Sequence, residues 1–118
     1  MKKLLAGLVL VSMSALVGFS ILQKTDYSTA DVNNGKEKYL TYCLSCHGEL
    51  GHGNGVAAAT LSEKPSNIYK KVTSPFEFES ELYSTVMNGN EGMPAWGAIL
   101  STNDVRDIFG YIIEANNT

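Results

Sequence analysis

Apolar positions along this chain recur with the period of helices, and no run of any length alternates with the period of strands. Val32, Tyr39, Leu40, Cys43 and Cys46 fall at helical spacing, which predicts a helix capped by Thr29 or Asp31. Gly35 sits inside that helix, where glycine costs about 1 kcal/mol against alanine; close approach of another helix would justify it. Gly48–Gly55 holds four glycines in eight residues and reads as a loop turning tightly around a bulky object. Ala57–Ala59 predicts a short turn of helix, ended by Lys64-Pro65.

Ser74-Pro75-Phe76-Glu77 has the form of a helix start, and the helix proper is predicted from about Glu79 to Met87. Leu82 and Val86 are its inward pair, and Asn88-Gly89 closes it. After a loop holding Met93-Pro94-Ala95-Trp96, Ser101 caps a last helix with Asp104 at its third position, and Leu100 and Val105 form a hydrophobic staple. Val105, Ile108, Tyr111 and Ile112 make its apolar face. The pattern is that of an all-α protein without internal repeats.

The N-terminus differs in kind. Lys2 and Lys3 precede a stretch, Leu4 to Leu22, that carries no charge. Residues 1–23 read as a signal peptide or a membrane anchor. The basic start and apolar core suit a secretory signal, and nineteen uncharged residues are also just long enough to span a bilayer with the lysines on the cytoplasmic side. Either outcome delivers the remainder of the chain to the periplasm of a bacterium, soluble or held at the outer face of the inner membrane. Residues 24–31 read as a polar linker and 32–118 as one small domain.

With 118 residues, 44% hydrophobic and 18% charged, the chain builds a modest core, and small domains of this size benefit from a staple. The formal charge of −3 becomes −5 without Lys2 and Lys3. No nucleic acid is expected as a partner, since proteins that bind it carry basic patches; a partner with a basic docking surface would be steered favourably.

The chemistry concentrates in Cys43-Leu44-Ser45-Cys46-His47. C-x-x-C-H is the attachment signal of c-type haem. On a helix these three side chains share a face, so two thiols can form thioethers with one porphyrin while the imidazole reaches its iron from the same side. A thioredoxin-like redox pair needs a βαβ context that is not visible. A zinc site needs more ligands than two cysteines and two histidines in the usual spacings. A structural disulfide is permitted in an exported protein, but the adjacent histidine and the downstream pattern argue against it.

Taken together, Gly35 and Tyr39 leading into this motif, the glycine loop, Pro65, Asn88-Gly89 before Met93-Pro94-Ala95-Trp96, and Ile108 and Tyr111 in the last helix resemble class I cytochromes c, the small monohaem bacterial kind, over roughly residues 32–114. The resemblance implies a small helical fold with crossed N- and C-terminal helices around one covalently bound haem c, preceded here by an apolar N-terminal helix. It implies haem attachment at Cys43 and Cys46, iron ligation by His47 and Met93, and a crossing contact of Gly35 and Tyr39 with Ile108 and Tyr111. It also implies that the carbonyl of Pro65 accepts the other N–H of His47, the usual way a metal-bound imidazole is oriented.

Among the remaining candidates, Met93 in its proline-bounded loop offers a soft thioether that suits haem iron, whereas Met87 falls near an apolar helix face and reads as core packing. Trp96 is expected to contact the haem. His52 is expected to be a solvated loop residue, and Glu77, Glu79 and Glu81 a solvated face. The expected function is one-electron transfer between periplasmic or membrane redox proteins, not enzymatic catalysis, since both axial positions are filled. An electron-transfer subunit of a larger dehydrogenase or oxidase is the alternative, and a haem peroxidase or gas sensor would follow if Met93 were labile.

Overall fold

The computed structural model describes residues 25–118; the predicted N-terminal apolar helix lies outside them. Helices are α1 (Val32–Tyr42), α2 (Leu44–His47), α3 (Ile68–Thr73), α4 (Glu79–Asn88) and α5 (Thr102–Asn117), with one turn of 3₁₀ helix at Ala58–Thr60. The described chain is all-helical. None of its helices is long and apolar enough to cross a membrane.

Asp31 caps α1, its carboxylate accepting from the N–H groups of Asn33 and Asn34. At the other end of the chain, Ser101 and Asp104 form a reciprocal capping box on α5. Leu100 and Val105, the staple pair, are both buried. The two capped helices cross. A Cβ on Gly35 would lie 2.0 Å from the carbonyl oxygen of Asp107 and 2.9 Å from the nitrogen of Ile108, so only a residue without a side chain fits there. The crossing contact is therefore Gly35 against the α5 backbone, and Tyr39, one turn on, takes the ring of Tyr111 at 5.6 Å between centroids. Polar groups lock the same crossing: Asn34 Nδ2 donates to Asp104 Oδ1 at 3.0 Å and to Asp107 Oδ2 at 2.8 Å. Bonded this way and to Ser101, the Asp104 carboxyl is held below its ordinary value.

Tyr39, Cys43, Val72, Leu100, Val105, Ile108, Phe109 and Ile112 form the buried core. Two assignments change. Leu40 is 45% exposed, because it lies one position round from Tyr39, off the stripe that faces α5. Phe109, absent from the predicted face of α5, is buried; its ring receives Tyr83 at 5.6 Å and Tyr27 at 6.2 Å. The apolar stripe of α5 is wide because α1, α3 and α4 all pack on it.

Three segments also differ from the pattern reading. Ser74–Glu77 is a turn rather than the first turn of a helix, with Ser74 Oγ accepting from the N–H of Phe76; α4 opens at Glu79, where the helix proper is predicted. The short α3, not predicted, is capped by the Asn67 side chain, which accepts from the Lys70 N–H at 2.8 Å. The polar stretch before α1 is not free. Arg106 donates to the carbonyl of Asp26 and to the hydroxyl of Thr29, and the Asp31 N–H donates to Asp107 Oδ1 at 2.9 Å.

Gly35→Val should lower stability by about 1–3 kcal/mol, the usual cost of overpacking, since the backbone of α5 cannot yield as a side chain would. A chemical-denaturation midpoint equal to that of the parent protein would contradict the crossing.

Candidate haem site

Cys43 closes α1 and opens α2, with φ −118° and ψ −32°. The slight break does not scatter the motif. The His47 N–H still reaches the Cys43 carbonyl at 2.9 Å, so the residues stay one turn apart on one face. Both cysteines are free. Burial, followed by the neighbouring Cys46, pushes the Cys43 thiol up to about 12.

The glycine loop holds α2 in place. Its N–H groups at Gly53, Gly55 and Ala57 donate to the carbonyls of His47, Cys46 and Ser45 at 2.8, 3.0 and 2.8 Å. These are the end-of-helix acceptors that would otherwise lack partners. The bulky object this loop turns around is thus α2 itself, and none of Gly48–Gly55 lines the cleft that Cys43, Cys46 and His47 face. Tyr39 ties the loop from the other side, its buried hydroxyl donating to the Gly48 carbonyl.

His47 is buried. Its Nδ1 lies 3.0 Å from the carbonyl oxygen of Ser66. A carbonyl can only accept, so Nδ1 carries the proton and Nε2 keeps a free lone pair. Burial lowers the imidazole pKa and the Ser66 bond opposes that shift; the net direction favours the neutral ring. The Pro65 expectation is corrected by one residue. At Gly53, with φ +81°, a Cβ would stand 2.4 Å from the Pro65 oxygen: that carbonyl faces the glycine loop, and the next one along the chain turns to His47.

Met93 reaches the site by a different route. The Asn90–Met93 turn is closed by the Asn90 N–H on the Met93 carbonyl at 3.0 Å, and the N–H groups of Trp96 and Gly97 donate to Val86 and Met87 carbonyls at 3.0 and 2.9 Å. The loop is folded back on the last turn of α4, where Gly89, with φ +72°, ends the helix. Trp96 packs on Tyr42 at 5.2 Å between ring centroids. Met87 is partly buried against the core.

These elements enclose one cleft of about 700 Å³, whose lining includes Cys43, Cys46, His47, Pro65, Met93 and Trp96. Its size is that of a pocket for a cofactor or drug-sized ligand. All six candidate residues, drawn from three separate stretches of the chain, come together there. Two thiols, an imidazole with its outer nitrogen fixed, and a thioether form the donor set that haem attachment and axial ligation require. Among the described residues, no group of three or more His, Cys, Asp or Glu is placed to hold a metal ion.

His52 is exposed yet engaged: Nε2 meets Asn116 Oδ1 at 2.7 Å, and Asn116 Nδ2 donates to the carbonyl of Leu50 at 2.9 Å. The expected solvated loop residue is also a tether between the glycine loop and the end of α5, a contact 64 residues apart in sequence that no local pattern signals.

An all-helical domain that closes this donor set around one cleft is a haem protein of the c type. Residues 30–112 match the family described as cytochrome c oxidase, cbb3-type, subunit III. Cytochrome c6 of Gloeothece citriformis is 31% identical over 97% of this chain and 94% of its own length. The cytochrome bc1 complex cytochrome c subunit of Corynebacterium diphtheriae is 30% identical over 92% of this chain, which spans 35% of that longer protein. The solved reducing HAO-like protein complex of Kuenenia stuttgartiensis shares the fold, with TM-score 0.60 at 21% identity, over 80% of this chain and 48% of its own. The chain belongs to the small monohaem c-type cytochromes, electron carriers with one covalently bound haem c.

His52→Ala should cost about 1 kcal/mol, the net worth of an ordinary hydrogen bond, while leaving the visible absorption of the haem unchanged. A changed spectrum at full stability would assign His52 to the haem site.

Proposed function

We propose that Cys43 and Cys46 carry the haem thioethers, that His47 and Met93 are the axial ligands, and that Pro65 and Trp96 flank the group. The observation that supports this most is that His47, with Nε2 free, and Met93, on a loop pinned to α4, line one cleft. The haem supplies one-electron cycling between ferric and ferrous iron. The chain does the rest. The Ser66 carbonyl fixes the His47 ring and raises its basicity as a ligand. The Met93 thioether, soft and neutral, favours the reduced state. The core and Trp96 limit water in the cleft, which shifts the potential through the local dielectric.

With both axial positions taken, the protein carries electrons and performs no catalysis of its own. Its partners are redox proteins met briefly through small interfaces, and the net negative charge favours basic ones. It works on the periplasmic side of the inner membrane, delivered by residues 1–23, whether these are cleaved or retained.

Acid–acetone extraction should leave the haem on the polypeptide, and Cys43→Ala or Cys46→Ala should mature poorly. Met93→Ala should open the distal side, so that ferrous protein binds carbon monoxide rapidly, whereas Met87→Ala should lose stability, by less than a full core truncation because the side chain is only partly buried, and still exclude the gas. Rapid binding by the parent protein, or by Met87→Ala alone, would reject this ligand assignment.

A further inference from the structure

Phe76 and Phe78 stand 89% and 70% exposed in the turn before α4. Two neighbouring large apolar side chains left in water mark a surface that is covered in use. Glu77 between them is paired with Lys71 at 3.0 Å, so the turn presents more apolar than acidic character. Its place in the fold says what covers it. Tyr83, one turn into the helix that Glu79 opens just after Phe78, shares the ring of Phe109 with Tyr27. The turn therefore flanks the segment by which the chain enters the domain.

That segment is a short leash. Arg106 pins Asp26 and Thr29, and Ala30 packs on Gly110, where a Cβ would come within 2.4 Å of its own. Between Leu22, the last residue of the uncharged stretch, and Thr25 only Gln23 and Lys24 intervene. Three extended steps of chain reach about 10 Å.

We propose that Phe76 and Phe78 seat in the headgroup region of the bilayer beside this entry point, docking the domain on the membrane in one orientation. The proposal rests on residues 4–22 being retained as an anchor. Aromatic side chains are at home at the interface, and a leash this short brings them there without further chain. Lys70 and the Lys71–Glu77 pair tolerate the surface, while Glu79 and Glu81 disfavour anionic lipid; the fitting surface is a zwitterionic one.

Full-length holoprotein in phosphatidylcholine vesicles, with a nitroxide on Ser80→Cys or Val56→Cys, tests it. Ser80 is exposed on α4 and keeps both phenylalanines; Val56 is 92% exposed in the loop packed on α2. The Ser80 label should be relaxed by dissolved oxygen in preference to a water-soluble nickel chelate, the Val56 label should not, and Phe76→Ser/Phe78→Ser should abolish the preference. Protein that sediments with the vesicles while both labels behave alike overturns the docking and leaves the anchor standing. Protein that stays in the supernatant overturns both. A Ser80 label shielded only on addition of a redox protein assigns the turn to a protein partner and overturns the lipid contact.

Discussion

The close approach of α1 to α5 at Gly35 is the constraint on which the rest depends. Backbone meets backbone there, with the Asp107 carbonyl occupying the space a side chain would need. The glycine sacrifices helix propensity of about 1 kcal/mol for a crossing that puts Tyr39 on Tyr111 and carries Cys43 to the edge of the core. Because α2 follows without a gap, the position of the face that bears Cys43, Cys46 and His47 is fixed by this crossing. The opposite wall hangs from the same helix, since α4 packs on α5 through Tyr83 and Phe109 and bears the Met93 loop at its end. One helix thus positions both sides of the cleft.

The two walls are built from different materials. The His47 side is held by carbonyls: the glycine loop donates to α2, and Ser66 accepts from the imidazole. The Met93 side is a loop tied back to α4 by its own main chain. An electron carrier benefits from such rigidity, because little needs to rearrange when the charge on the metal changes. Exposed Glu63, Lys64 and Asn90 are also among the residues that line the cleft.

Much of this was legible in the sequence where the signal is local. Asp31, the Ser101–Asp104 box and Gly89 declare helix ends through their own hydrogen bonds or dihedral angles, and the C-x-x-C-H spacing declares its chemistry. The crossing was legible as a glycine that asks for close approach of another helix, with Ile108 and Tyr111 across from Gly35 and Tyr39; that Gly35 meets the α5 main chain, at Asp107 as well as Ile108, was not. What stayed hidden is either short or long-range. The six residues of α3 are too few for a period to show. Pro65 and Ser66 differ only in which carbonyl turns, a choice made by contact with Gly53. The His52–Asn116 tether and the burial of Phe109 depend on elements that meet only in the folded chain.

The function proposed here stands on His47 and Met93, which line one cleft, both serving as ligands of one haem iron. The near-infrared edge of the ferric spectrum tests it most directly, since a thioether on low-spin ferric haem gives a weak long-wavelength charge-transfer band. The parent protein should show the band, and Met93→His should lack it while remaining six-coordinate with a lower midpoint potential, as a stronger donor favours ferric iron. A band that survives in Met93→His, or is absent from the parent protein, would contradict the account.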